Sequence, residues 1–275
     1  MLRQLGLSVV LLSGVCASAQ ALPAPPPAAS AAPVPAANQA PAASFEVATI
    51  KPVDVGPSAG RYITMLGTNR FFAKNFTVKL LIAAAYDLNP RTISGGPEWV
   101  ESAKFDIQAL TGGAERPDHD TQMLMLRGLL SDRFHLTFHR QAKEFAIYEI
   151  TVAKDGPKMR DTADRNQETK VLSTVYQDRV VMPARNASMS DVARVMQRAI
   201  LDRPVVDNTG LTGRYDFNLV WAPDETQFDG AIHLPETDAV PLLAAMQEQL
   251  GLQMKATRGQ VQAMVIDTVE KPAEN

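Results

Sequence analysis

The run from Asn208 to Trp221 constrains this chain more than any other. A turn punctuated by Gly210 and Gly213 leads into Tyr215, Phe217, Leu219 and Trp221, which alternate with Asp216, Asn218 and Val220. That period of two marks a strand with one face buried. An earlier stretch, from Ile93 to Leu110, carries the same grammar: Gly95 and Gly96, then Trp99, then Phe105-Asp106-Ile107 where the later run has Tyr215-Asp216-Phe217. The spacings agree as well. Asn75 to Asn186 is 111 positions, Asp106 to Asp216 is 110, and Leu136 to Leu252 is 116. A pattern met twice predicts a fold built twice.

The surrounding elements follow the same reading. Strands are predicted at Phe45–Ile50, ended by Lys51-Pro52, and in a hairpin over Tyr62–Phe72 with its turn at Gly67-Thr-Asn69. Val78, Leu81, Ile82 and Ala85 have helical spacing, capped by Asn75 or Thr77. A second helix runs from Asp118 or Asp120 to about Ser131, and strands follow at Arg133–Gln141 and Phe145–Ala153. Residues 158–178 are polar and unpatterned and read as a connector. Beyond them come a strand at Arg179–Ala184 and a helix started by Ser188 and Asp191, which resembles a capping box. The strand ending at Trp221 is next. The last helix is capped by Asp238 and stopped by Gly251, and strands at Leu252–Thr257 and Val261–Val269 are joined by a turn at Arg258-Gly259. The expected fold class is α+β, with helices against mostly antiparallel sheets. It forms two similar lobes, 44–157 and 179–275, each with two helices, within one domain from 44 to 275.

The N-terminus gives a location. Arg3, the apolar run Leu5–Val15 and Ala17-Ser18-Ala19 have the order of a Sec signal peptide over 1–19, cleaved after Ala19. That apolar run is too short for a membrane span, and no later stretch replaces it. Residues 20–43 are mostly Ala and Pro with no charge, a spacer that cannot fold on its own. The chain is therefore expected to be secreted or periplasmic, with no membrane span after cleavage. Cys16 is the one cysteine and would leave with the signal, so disulfides and thiolate chemistry are not expected. The net charge of −3 carries no basic excess of the kind a nucleic-acid binder shows.

Several segments together resemble a family of secreted proteins of unknown function from soil bacteria. They are Phe45-Glu-Val-Ala-Thr-Ile-Lys-Pro52, Ile93-Ser-Gly-Gly-Pro-Glu-Trp99, Leu130-Ser-Asp-Arg-Phe-His-Leu136, Val152-Ala-Lys-Asp-Gly-Pro-Lys158, the run from Arg203 to Asp216, Leu250-Gly-Leu252 and Val269-Glu-Lys-Pro272. The resemblance covers the chain from Phe45 onward and implies export. It brings no activity, cofactor or catalytic residue with it. Some members look fused to membrane-bound sensor peptidases, which implies a ligand-sensing role. The repeated grammar is also loosely similar to the short N-terminal domains of secretins and TonB-dependent receptors.

Each candidate for chemistry has a plainer reading. Gly56-Pro-Ser-Ala-Gly60 fits the nucleophile-elbow pattern around Ser58, but the strand and helix that the elbow needs do not flank it. His135 and His139 are placed on one strand, where positions four apart are about 13 Å from each other and cannot share a metal. Asp118 and Asp120 flank His119 but read as helix caps, and His233 has no patterned partners. Asp106 and Asp216 could act as paired carboxylates, yet equivalent residues in a repeat more often hold each lobe together. No metal or cofactor is expected. The reading is an exported, non-catalytic binding module for an unknown ligand or envelope protein, with Trp99, Arg133, Arg140 and Trp221 lining a groove between lobes. A secreted hydrolase with an unrecognised active site is the alternative.

Overall fold

A computed structural model describes residues 43–273, apart from 55, 57–59, 231 and 233–236. The chain opens with β1 (Phe45–Val53), the hairpin β2 (Tyr62–Leu66) and β3 (Arg70–Thr77), and helix α1 (Val78–Ala85). Next come β4 (Ile93–Gly95), the single turn α2 (Trp99–Ser102), β5 (Lys104–Thr111), α3 (His119–Phe134) and the long strand β6 (Thr137–Val152). The segment read as a connector holds three two-residue strands, β7 (Arg160–Asp161), β8 (Lys170–Val171) and β9 (Thr174–Val175). After it come β10 (Val180–Ala187), α4 (Met189–Val195), β11 (Val205–Asp207) and β12 (Tyr215–Trp221). Helix α5 (Leu242–Leu250) and β13 (Leu252–Thr268) close the fold. The class is α+β, as the sequence predicts.

Three sheets result. The first has the order β1-β5-β3-β2 and the third β7-β12-β10-β8, with β9 also on β10; both are antiparallel throughout. The middle sheet, β11-β6-β13-β4, is mixed: β6 and β13 run antiparallel over their whole length, while β11 lies parallel to β6 and β4 parallel to β13.

The middle sheet carries the chain between two cores. In the first, Phe71 and Ile107 of sheet one meet Leu81, Leu126 and Phe134 from α1 and α3. In the second, Met182, Leu219 and Trp221 of sheet three meet Val192 and Met246 from α4 and α5. Strand β6 starts beside the first core at Phe138 and ends inside the second at Tyr148 and Ile150. Strand β13 makes the reverse journey, from Leu252 and Met254 in the second core to Met264 and Ile266 in the first. The boundary between cores therefore does not follow the boundary between sequence halves.

Local chemistry explains the start of each helix. The Thr77 hydroxyl accepts from the Leu80 N–H at the head of α1. Asp118 accepts from the Thr121 N–H at 2.7 Å at the head of α3. Ser188 and Asp191 form a reciprocal capping box at α4, where the shorter acid still reaches. At α5 the sequence reading is corrected: the N-cap is Pro241 and makes no side-chain bond, so Asp238 does not cap it. Gly251 ends that helix at φ +67.

Four further corrections concern strands. Arg133 and Phe134 complete the last turn of α3, and His135 is its left-handed cap at φ 48, so the strand begins only at Thr137. The two strands expected on either side of residue 143 are one. The same holds at Arg258-Gly259, where no turn forms and Gly259 lies opposite Phe145 in the ladder. A Cβ at Gly259 would stand 2.5 Å from Cδ1 of Ile147, so the glycine leaves room for that side chain to lie over the neighbouring strand. Finally, β1 continues through Pro52, which an edge strand tolerates because one row of its backbone groups needs no partner.

Candidate functional site

A local motif occurs twice and organises the strand-to-helix turns. In β3 the register with β5 breaks between Ala73 and Phe76, and Asn75 within the break has φ 60. Its N–H donates to Asp106 Oδ1 at 2.9 Å. In β10 the register with β12 breaks between Ala184 and Ala187, Asn186 has φ 47, and its N–H donates to Asp216 Oδ1 at 2.8 Å. Asparagine tolerates the left-handed region better than most residues. Two residues beyond each asparagine, Thr77 and Ser188 cap a helix. Asp106 also pairs with Lys74, and Asp216 also accepts from the Thr162 hydroxyl at 2.7 Å. Each aspartate therefore holds its own bulge, one on sheet one and the other on sheet three.

The four residues expected in a shared groove are not brought together. Trp221 is fully buried in the second core, and its indole N–H donates to Gln227 Oε1 at 2.6 Å. Trp99 packs half-buried against the first core, edge-on to Phe105 at 6.4 Å, with Lys271 Nζ 5.8 Å from its ring centre. Arg133 donates to the Ala48 carbonyl oxygen at 3.2 Å. Arg140 borders a small cavity of about 360 Å³ beside Asn89, Gln197 and Asp207. Both tryptophans serve packing, one in each core, which is the physical reason they do not face a common groove.

The histidines are equally dispersed. His135 caps α3, His139 Nδ1 lies 2.8 Å from Asp267 on the neighbouring strand, and His119 Nε2 lies 3.2 Å from Arg198 Nη1. Ser58 and His233 lie outside the described residues. Among the described residues no three His, Cys, Asp or Glu side chains are placed to hold a metal ion.

A cleft of about 1040 Å³ is the candidate ligand site. One wall is β2, through Tyr62 to Met65, backed by Phe76 and by Leu80, Ala83 and Ala84 of α1. The start of α3 supplies Asp118, His119, Gln122 and Met123. The opposite wall is Glu168, Lys170 and Leu172 around β8, with Arg198 and Ala199 following α4. The floor is apolar and the rim is charged, the usual composition of a ligand site. Asp118 is fixed as the cap of α3, and its carboxyl is held below the usual range by the Thr121 hydroxyl and N–H. Arg198 is tied to Asp87 at 3.2 Å, and Asp87 lies 3.6 Å from Arg194 as well. Asn89, buried next to this cluster, donates to the carbonyls of Gln197 and Leu201. Those bonds fix the Arg198 wall against the end of α1.

Of these cleft residues the sequence singles out only Asp118 and His119, and those as a helix start. Tyr62 and Lys170 belong to edge strands, and edges are a property of sheet order rather than of local pattern. The one further signal is Leu172, an apolar residue 56% exposed within a mostly polar segment.

Fold and cleft together define a small α+β protein with an amphipathic concavity of about 1040 Å³. A family model for proteins of unknown function, DUF3738, matches residues 79–269, and the chain belongs to that family. The matched span starts just inside α1, so β1 to β3 and the β2 wall of the cleft precede it. No curated protein and no solved structure matches the chain.

Proposed function

We propose that this chain is an exported binding module that takes its ligand in the 1040 Å³ cleft, and that its two halves descend from one duplicated unit. The observation that carries the binding reading is the cleft itself. It has an apolar floor, a charged rim, and walls drawn from both halves of the chain. The duplication is supported by the paired bulges, in which Asn75 and Asn186 each bind an aspartate 30 or so residues on and each precede a helix cap by two positions. Export is supported by the order of charged, apolar and small residues over 1–19. The hydrolase alternative has no comparable support, since Asp106 and Asp216 lie on different sheets and each is engaged by its own turn.

The test is a thermal-shift screen of the full chain against peptides, sugars and cell-wall fragments, repeated with Ala199→Trp. Ala199 is exposed at the cleft rim, so the indole fills space without disturbing a core. A ligand that binds the folded state raises the melting temperature. The expected result is a concentration-dependent rise that the tryptophan abolishes. A ligand that stabilises both proteins equally places the site elsewhere and refutes the reading.

A further inference from the structure

We propose that the cleft receives an extended, acidic peptide segment, which adds a strand to the free edge of β2. The inference rests on the reading of the cleft as the ligand site and gives that ligand a chemical class.

The first argument is the edge. Strand β2 is the last in its sheet, and among the described residues no strand pairs with its outer side. In an antiparallel pair every second residue turns its N–H and C=O away from the neighbour. Those groups form a template for an incoming strand unless the edge is blunted by charge, proline or a bulge. The other edge of the same sheet is blunted: β1 carries Glu46, Lys51 and Pro52, and its register slips near Val47. Strand β2 reads Tyr-Ile-Thr-Met-Leu, with no charge, no proline and an unbroken register from Tyr62 to Leu66. Tyr62 and Leu66 are each 51% exposed. Of the two edges of this sheet, only β2 borders the cleft.

The second argument is size. Five residues of strand span about 17 Å at ~3.4 Å each. A volume of about 1040 Å³ lies at the upper end of small-molecule pockets, which suits a short peptide better than a single sugar or nucleoside.

The third argument is charge. Arg61, Arg116, Lys170 and Arg198 border the cleft against two acids, Asp118 and Glu168. Asp118 keeps its charge as the cap of α3, and Arg198 is offset by Asp87 3.2 Å away. Among the described residues neither Arg116 nor Lys170 forms an ion pair, and both are exposed. With Asp87 counted, four cations face three acids here, a local balance of +1 in a chain that carries −3 overall. Main-chain pairing would supply affinity, and the rim would select acidic over basic sequences.

The experiment uses the full chain and three short synthetic peptides: one alternating Asp with Val, its Lys counterpart, and the Asp peptide with its backbone N-methylated. Binding is read by fluorescence anisotropy and by hydrogen exchange at the β2 amides. The expected result is binding of the acidic peptide with slowed exchange in β2, and no binding of the N-methylated one. Arg116→Glu with Lys170→Glu should weaken the acidic peptide by about fivefold or more, the effect of losing two exposed ion pairs and adding repulsion. Equal binding of the Lys peptide overturns the charge reading. Binding by the N-methylated peptide, or binding without slowed exchange in β2, overturns the strand reading. If no peptide binds while a sugar from the Ala199→Trp screen does, the peptide inference fails and the cleft remains the site.

Discussion

Asn186 gives its backbone N–H to Asp216 at 2.8 Å, and through that one bond a left-handed bulge, a helix start and a crossing segment are held together. The amide of Asn186 in turn donates to the carbonyls of Arg165 and Gln167, which lead directly to Lys170 at the cleft. The carboxyl of Asp216 is held below the usual range, first by the Asn186 N–H and then by the Thr162 hydroxyl. Asp216→Ala strands two donors, and its expected cost is about 1–3 kcal/mol. The sign of the pH dependence follows. A carboxyl with a lowered folded pKa contributes stability that is fully present above its unfolded pKa of about 3.9 and is lost as pH falls through the folded value. Urea midpoints of the wild type and Asp216→Ala should therefore differ most near neutral pH and converge on acidification. A gap that widens in acid contradicts this account.

Gly251 is a position where shape alone should decide the outcome. It ends α5 at φ +67, and a Cβ there would overlap the carbonyl oxygen of Gly156. The backbones approach closely because Ala153 N–H donates to the Gly251 carbonyl at 2.9 Å and Lys158 N–H to that of Leu250 at 2.9 Å. Gly210 offers a control: its φ is +68, but nothing lies within 4 Å of its Cβ position. Gly210→Ala should cost only the backbone strain, about 1–2 kcal/mol. Gly251→Ala should cost clearly more, or prevent folding. Equal melting temperatures for the two variants would show that the Gly156 contact does not matter.

How far the sequence foretells this fold depends on how local the determining chemistry is. Helix starts are legible at Thr77, Asp118 and Ser188, since a cap and its partner lie within three residues. The equivalence of Asp106 and Asp216 is legible as spacing, and its structural use follows from asparagines 31 and 30 positions earlier. The exchange of strands between cores is not legible. Tyr148 and Met264 have the same local pattern whichever core they serve, and pairing across more than a hundred positions decides between them. Trp99 and Trp221 mislead for a related reason: burial of an aromatic depends on what the rest of the chain packs over it. The cleft stays hidden because β2 and β8 become edges only when the sheets assemble.

The Gly259–Ile147 contact predicts a coupled pair. The Cδ1 atom of Ile147 occupies the space a Cβ at 259 would need, and it is the far end of a flexible side chain. Gly259→Ala alone should be modestly destabilising, since Ile147 is buried and must shift. Ile147→Val removes the offending carbon at a cost of about 0.5–1.5 kcal/mol. Combined, the two substitutions should cost less than their sum by at least about 0.5 kcal/mol, the coupling expected of residues in contact. Strict additivity in a chemical-denaturation cycle would mean that the glycine serves some other purpose, such as strand curvature.

The two tryptophans give the most direct test of two separate cores. Trp221 is sealed, with its N–H committed to buried Gln227, whereas Trp99 is half-buried beneath Lys271. Trp221→Phe empties part of the second core and leaves the Gln227 acceptor without its donor. A loss of about 2–4 kcal/mol is expected from the cavity and the missing bond together. Trp99→Phe loses partly exposed surface and should cost about 1 kcal/mol, near the centre of the distribution for single substitutions. Fluorescence separates the sites without relying on stability. Emission from the Trp99→Phe protein, which reports Trp221 alone, should be blue-shifted and resist acrylamide, and emission from Trp221→Phe should be quenched readily. Comparable quenching of both would place Trp221 at a solvent-facing groove and return it to the list of ligand contacts.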